Sequence, residues 1–213
     1  MRVAVLISGR GSNMRALINS CRTNEVPAEI VRVISDHPDA AGLSVALDSG
    51  IKTEVVDQRR FADRASFESE LGSTLKSADI ELICLAGFMR LLSPDFVNHW
   101  RDRLINIHPS LLPAFKGLDT HRRVIDSGVR ITGCTVHFVR PKMDDGPIII
   151  QAATPVHPDD TDERLAERVL HLEHRCYPLA VRWIAEGRVR IINERAIITN
   201  ADITKTWLIN PEA

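Results

Sequence analysis

The sequence predicts an α/β fold in which a mostly parallel, twisted sheet carries helices on both faces, with an antiparallel strand pair in the C-terminal half. Short runs of β-branched residues alternate with helical patterns over roughly the first half, which is typical of parallel strands connected by helices. Two apolar runs then follow each other across a short turn segment, so we expect them to pair antiparallel. A length of 213 residues suits one domain with a large core.

The first half of the chain predicts strands and helices in alternation. The strands are short apolar runs at residues 3–7, 30–34, 53–56, 80–86 and 103–108. Helices are expected between them, at residues 13–21, 40–48, 67–77 and 94–100. The clearest helical spacing is that of Phe67, Leu71 and Leu75, which would lie on one face.

The second half predicts the antiparallel pair, a long helix and a hairpin. The pair comprises residues 133–139 and 147–152, and Asp144-Asp145-Gly146 between them is turn chemistry. The helix is expected from about residue 160 to a point before Gly187, with a kink at Pro178. Residues 189–199 predict a terminal hairpin.

The composition excludes several classes of partner. A formal net charge of −1 and 5% aromatic residues argue against nucleic acid and against an anionic membrane surface. The histidines form no ligand-spaced pattern, so no metal site is predicted. The four cysteines form no Cys-x-x-Cys and are expected to be free thiols in a reducing compartment, and no signal peptide or spanning run is present, so we expect a cytoplasmic protein.

The loop Ser8-Gly9-Arg10-Gly11-Ser12-Asn13 joins the first strand to the first helix. Its glycines and the helix N-terminus make a suitable seat for one phosphate. Gly9-x-Gly11 with Asp36 further on also half-matches a dinucleotide-binding fingerprint, so a nicotinamide-binding protein is an alternative. A plain turn with Ser12 or Asn13 as N-cap is equally compatible with the loop.

Asn106 and His108 lie two positions apart at the end of an apolar strand, so their side chains are expected on the same face. An amide donor beside an imidazole suits the stabilisation of an oxyanion and the movement of a proton. A strand end with two polar residues satisfied by a loop would look the same. Asp144 is a candidate partner that would hold His108 cationic, whereas His137 is expected to be an ordinary core histidine.

Four segments together resemble one family. Residues 5–13, 85–90, 106–113 and 144–147 occur in the same order in the phosphoribosylglycinamide formyltransferases, folate-dependent enzymes of de novo purine synthesis. The resemblance covers about residues 1–190 and implies a Rossmann-like formyltransferase fold. It also implies a single formyltransferase domain over residues 1–213, with a phosphate-binding half (1–100) and a folate-binding and catalytic half (101–213).

The resemblance implies a set of site residues. The phosphoribosyl substrate would be held by Gly11, Ser12, Asn13 and Glu173. Folate would be bound by Arg64, Met89, Arg90, Leu91, Leu92, Asn106, Arg140, Pro141, Lys142, Met143 and Asp144. The catalytic residues would be Asn106, His108 and Asp144. Asp119 stands where many members carry a histidine, so no substrate role is predicted for it, and Leu170 replaces a polar residue often found near the phosphate, which weakens that part of the site.

The activity implied by the resemblance is formyl transfer from 10-formyltetrahydrofolate, a co-substrate, to the amine of glycinamide ribonucleotide, giving formylglycinamide ribonucleotide and tetrahydrofolate. Asn106 would stabilise the developing oxyanion, and His108 would help deliver a proton to the leaving nitrogen. The partners would be small-molecule substrates, without metal, nucleic acid or membrane. A homodimer is compatible with the sequence.

Other members of the wider superfamily fit the chain less well. A methionyl-tRNA formyltransferase would need a further C-terminal domain and a basic surface, and a formyltetrahydrofolate hydrolase would normally carry an N-terminal regulatory domain. An amino-sugar formyltransferase is disfavoured by the Gly11-Ser12-Asn13 loop, which points to a phosphoribosyl acceptor. A non-catalytic phosphometabolite-binding protein would have no use for Asn106, His108 and Asp144.

Overall fold

The computed structural model describes residues 1–201, so the C-terminal tail lies outside the described residues. The strands are β1 (Arg2–Ile7), β2 (Glu29–Ser35), β3 (Thr53–Val55), β4 (Leu82–Leu85), β5 (Leu104–His108), β6 (Ile131–Phe138), β7 (Ile148–Pro155), β8 (Val189–Ile192) and β9 (Arg195–Ile198). The helices are α1 (Ser12–Arg22), α2 (Ala41–Asp48), α3 (Arg64–Ser77), α4 (Pro94–His99), α5 (Thr120–Asp126) and α6 (Asp162–Ala185).

Strands β1 to β7 form a seven-stranded sheet in the order β3-β2-β1-β4-β5-β6-β7. Strands β1 to β5 pair in parallel, β6 is antiparallel to both β5 and β7, and β8 and β9 form a separate hairpin. The predicted fold class is therefore confirmed. The order of strands reverses between β1 and β4, and ligands of such sheets bind at the carboxyl ends of the strands near that switch.

Helices cover both faces of the sheet because the central strands carry apolar side chains on both faces. Val3, Val5 and Ile7 of β1 belong to a cluster that includes Met14 of α1 and Val169 of α6. On the other face, Ala4 and Leu6 belong to a cluster with α3 and α4 side chains. The strand is thus buried on both sides, which explains its continuous apolar run.

Several helix boundaries differ from the predictions for local reasons. Helix α3 begins at Arg64 because Asp63 and Ser66 form a capping box. The N-cap of α1 is Gly11, with φ 72°, and not Ser12 or Asn13, which the plain-turn alternative would place there. Helix α6 continues through Pro178 to Ala185. No helix within residues 1–201 is long and apolar enough to cross a membrane.

Candidate functional site

A cleft of about 900 Å³ opens at the carboxyl ends of β4 and β5. Its volume lies within the range usual for small-molecule sites. The predicted site residues that line it are Met89, Arg90, Leu91, Leu92, Asn106, His108, Arg140, Pro141, Met143 and Asp144. The predicted residues outside its lining are Gly11, Ser12, Asn13, Arg64, Lys142 and Glu173.

His108 and Asp144 are brought together in the cleft, although they are far apart in sequence. His108 Nδ1 lies 3.5 Å from Asp144 Oδ2, and the two side chains are 7% and 10% exposed. His108 Nε2 donates a hydrogen bond to the Phe115 carbonyl at 2.9 Å. Both ring nitrogens therefore face oxygen acceptors, an arrangement that suits a cationic imidazolium.

The loop that carries Asp144 is packed tightly against the end of β6. A Cβ atom at Gly146 would lie only 1.7 Å from the Phe138 carbonyl oxygen, so no larger residue fits there without moving the backbone. The Gly117 amide donates to Asp144 Oδ2 at 2.8 Å. These two contacts fix the carboxylate opposite His108.

Side-chain hydrogen bonds from β6 and β7 hold the turn after β5, which leads to the Phe115 carbonyl bonded to His108. Thr135 Oγ1 donates to the Ser110 carbonyl at 2.7 Å and accepts from the Leu112 amide at 3.0 Å. Gln151 Nε2 donates to the Leu112 carbonyl at 2.9 Å. These hydrogen bonds hold the chain just before Phe115, whose carbonyl oxygen accepts from His108 Nε2. No sequence motif indicates these contacts, since they join β6 and β7 to a turn distant in sequence.

The phosphate-type loop lies beside the cleft and requires glycine at one position in particular. Gly11 has φ 72°, and a Cβ atom there would lie 3.0 Å from the Gly42 Cα atom. The Gly42 amide in turn donates to the Gly9 carbonyl at 3.0 Å. Helix α2 therefore shapes this loop through Gly42, a residue that the sequence analysis did not single out.

Asn13 and Glu173 meet although 160 positions separate them, with Asn13 Nδ2 donating to Glu173 Oε2 at 2.6 Å. Glu173 is 7% exposed, and Asn13 Oδ1 is buried without a partner among the described residues. Burial raises the pKa of the Glu173 carboxyl, and the hydrogen bond from Asn13 opposes that shift.

The raised pKa of Glu173 predicts a pH-dependent stability. The folded state binds this proton more tightly than the unfolded state, so its stabilising effect is present below the ordinary pKa of 4.5 and is lost as pH rises through the raised value. Each unit of pKa difference corresponds to about 1.4 kcal/mol. Replacing Glu173 with glutamine removes this titration. The difference in free energy of unfolding between the variant and the wild type should therefore be more favourable to the variant at pH 8 than at pH 4.

Urea unfolding at a series of pH values measures this effect. Glu167→Gln is the matched control, since Glu167 is an exposed residue of the same helix. If Glu173→Gln and Glu167→Gln change the pH dependence equally, burial of the Glu173 carboxyl does not influence stability.

One wall of the cleft is unusually apolar for an accessible surface. Met89 and Leu91 are 66% and 65% exposed, and Leu118 and Met143 face the same opening. The Met89 amide donates to Ser8 Oγ at 2.8 Å, which ties this wall to the phosphate-type loop. Clustered exposed apolar side chains of this kind are typical of a ligand-binding surface.

Asp36 does not have the environment that the nicotinamide alternative requires. It is 1% exposed, and its Oδ2 atom accepts a hydrogen bond from Arg90 Nε at 2.7 Å. A carboxylate that binds ribose hydroxyls must face the ligand. The pairing with Arg90 therefore argues against a dinucleotide site at this position.

Two of the remaining residues predicted to bind folate form ion pairs within the protein. The Arg140 guanidinium pairs with Asp102 at 2.8 Å and Glu194 at 2.6 Å. Lys142 pairs with Asp145 at 3.2 Å. Arg64 is an exposed residue at the start of α3. A contact from Arg64 or Lys142 to folate stays a prediction.

Comparisons with known proteins place these features in a family. The model of the formyl transferase family matches residues 1–181. Phosphoribosylglycinamide formyltransferase of Escherichia coli is 42% identical over 191 residues, which are 90% of each chain. The crystal structure of glycinamide ribonucleotide transformylase 1 from Symbiobacterium toebii superposes with a TM-score of 0.92 at 44% identity, covering 94% of each chain.

A longer relative contains the same region. The trifunctional purine biosynthetic protein adenosine-3 of Gallus gallus is 49% identical over 191 residues, which are 90% of this chain and 19% of that protein. The chain thus spans about a fifth of the length of the trifunctional relatives that it matches.

Proposed function

Because the chain belongs to the formyl transferase family, we propose that it transfers the formyl group of 10-formyltetrahydrofolate to the amine of glycinamide ribonucleotide. The products would be formylglycinamide ribonucleotide and tetrahydrofolate, in de novo purine synthesis. The observation that carries this proposal is the meeting of Asn106, His108 and Asp144 in a cleft that adjoins a phosphate-type loop.

The volume of the cleft and its exposed apolar side chains support this choice of co-substrate. A flat pterin and its aryl extension would cover the exposed side chains of Met89, Leu91 and Met143. Such burial is favourable by roughly 25 cal/mol per Å² of apolar surface. Among residues 1–201, no group of three or more His, Cys, Asp or Glu residues is arranged to hold a metal ion.

The acceptor would lie across the phosphate-type loop and reach into the cleft. The amide groups at the start of α1 would donate to the phosphate, as would the second N–H of Asn13 Nδ2, whose first N–H is bonded to Glu173. Asn13 Oδ1, buried and unpaired among the described residues, is available to a ligand donor. Glu173 would contact the glycinamide end of the acceptor.

The catalytic groups would stabilise the charge that develops on the formyl oxygen and deliver a proton to the leaving nitrogen. The co-substrate supplies the formyl group. Asn106 donates a hydrogen bond where negative charge develops on the formyl oxygen. His108, beside the Asp144 carboxylate at 3.5 Å, provides a positive charge and assists proton delivery to the leaving nitrogen.

The proposal is tested by following formyl transfer from 10-formyltetrahydrofolate to glycinamide ribonucleotide, with a parallel reaction that lacks acceptor. We expect tetrahydrofolate and the formylated product to accumulate together, and only when acceptor is present. Equal consumption of the co-substrate without acceptor would identify a hydrolase, and the absence of either reaction would overturn the proposal.

Replacing Asn13 with alanine should raise the KM for glycinamide ribonucleotide about tenfold or more, since hydrogen bonds to charged groups contribute roughly 1.5–3 kcal/mol. The KM for 10-formyltetrahydrofolate should stay within about twofold, because Asn13 lies outside the cleft lining. Steady-state kinetics with each substrate varied in turn measures both. Asn19→Ala, an exposed position on the same helix, is the control. An unchanged KM for the acceptor would remove Asn13 from the phosphate site.

The wider assignments also remain proposals. We propose that the partners are small molecules and neither nucleic acid nor membrane, that the location is cytoplasmic, and that the chain acts as one domain. The single-domain assignment is supported by the buried contact between Asn13 and Glu173, which lie 160 positions apart in the chain. A homodimer would be detected by sedimentation.

A further inference from the structure

His137 lies directly across the sheet from Asn106. The two residues are register partners in the antiparallel pairing of β5 with β6, so their side chains lie on the same face. Asn106 Nδ2 is 3.4 Å from His137 Nε2. His137 is 1% exposed and was expected to be an ordinary core histidine. Its place beside Asn106 requires another explanation.

The hydrogen bonds of His137 determine where its proton lies. Its Nδ1 atom is 3.0 Å from the Phe138 carbonyl oxygen, which can only accept, so Nδ1 carries the hydrogen. Burial lowers the pKa of His137. The ring is therefore neutral near pH 7, and Nε2 presents a bare lone pair to Asn106.

This lone pair selects one orientation of the Asn106 amide. A bare nitrogen can accept only from the NH₂ end, which agrees with Nδ2 facing His137. The amide has a second N–H, which remains free to point into the cleft. If Nε2 carried a proton, the amide would have to turn its oxygen toward His137 instead.

We propose that His137 is a positioning residue, whose neutral, Nδ1-protonated ring orients the Asn106 amide so that an N–H of Asn106 faces the formyl oxygen. This inference rests on the proposed function, in which Asn106 is the oxyanion donor. His137 reaches the lining of the cleft but is only 1% exposed. It acts through the hydrogen bond to Asn106.

The charges around His137 influence this arrangement in both directions. Asp144 Oδ1 lies 3.9 Å from His137 Nε2, and this carboxylate favours the cationic ring. His108 and Lys116 oppose a second positive charge, as does burial, which is the largest influence on the pKa of His137. The Asp144 carboxylate therefore pairs with His108, and the Nε2 atom of His137 accepts the hydrogen bond from Asn106.

A double-mutant cycle tests the proposal. His137→Leu should lower kcat about tenfold or more in the wild-type background, with each KM changed less than about threefold, but should lower kcat less than about twofold in an Asn106→Ala background. His137→Gln, whose amide oxygen can accept from Asn106, should recover part of the loss. Thr132→Val, a buried polar residue of the same strand, is the control for altered packing. An equal loss in both backgrounds would show a general structural role and overturn the proposal, as would no loss in either.

A second measurement does not depend on activity. Nitrogen-15 NMR of histidine-labelled protein, with the His137 signals assigned by their absence from His137→Leu, reports the tautomer directly. We expect a neutral, Nδ1-protonated ring that does not titrate near the ordinary value of about 6.5. An Nε2-protonated ring, or a titration at the ordinary value, would overturn the proposal. Failure of wild-type formyl transfer would instead overturn the proposed function and leave this result standing.

Discussion

Replacing His108 with alanine is expected to lower kcat at least ~100-fold, because loss of one stabilising group at a developing oxyanion typically costs this much or more. The expectation rests on position: His108 lines the cleft, and the Phe115 carbonyl and the Asp144 carboxylate hold its two ring nitrogens. Because the substituted side chain contributes charge more than binding area, the KM values should change much less than kcat.

Single-turnover formyl transfer, with the unfolding midpoint measured in parallel, separates a chemical defect from a folding defect. His157→Ala is the control, since His157 is an exposed histidine outside the cleft lining. Near-normal turnover in His108→Ala would exclude His108 from the chemistry.

Asp144→Asn is expected to lower kcat by a similar factor, because it removes the negative charge beside His108. The asparagine oxygen can still accept from the Gly117 amide, so the loop should keep its shape while the charge beside His108 disappears. Unit charges ~4 Å apart interact by roughly 4 kcal/mol at an effective dielectric constant of about 20. A 100-fold loss of kcat corresponds to about 2.7 kcal/mol, which partial screening still allows.

The neighbouring carboxylate provides a matched control for this experiment. Asp145 lies in the same loop but pairs with Lys116 and Lys142 at the surface. Asp145→Asn should therefore change kcat less than about threefold. If Asp144→Asn and Asp145→Asn behave alike, the effect belongs to the loop as a whole and not to the carboxylate opposite His108.

Much of the fold was predictable because it depends on local patterns. The apolar runs of β1, β2, β4 and β5 and the spacing of Phe67, Leu71 and Leu75 indicate alternating strands and helices. The pairing of β6 with β7 followed from the short turn between them. The pairing of β6 with β5 was not predicted, since the intervening segment of residues 109–130 contains no turn that specifies which strands meet.

The candidate site was predictable only where residues are close in sequence or belong to a recognised motif. Asn106 and His108 were placed on one face by the two-residue period of a strand. The neutral ring of His137 could not be foreseen, because it depends on the register of β5 and β6. The contacts of Phe115 and Gly117 with His108 and Asp144 are made by backbone atoms, which leave no signal in side-chain chemistry.

The ends of the sheet bear on the solubility of the folded chain. Strands β3 and β7 are the outermost strands in the described sheet, and an unpaired strand edge can recruit another chain and begin aggregation. Strand β3 limits this hazard by being only three residues long. Strand β7 has eight residues, but the β8–β9 hairpin packs beside it. The hairpin, whose turn residue Glu194 also pairs with Arg140 of the cleft, thus covers part of the longer strand.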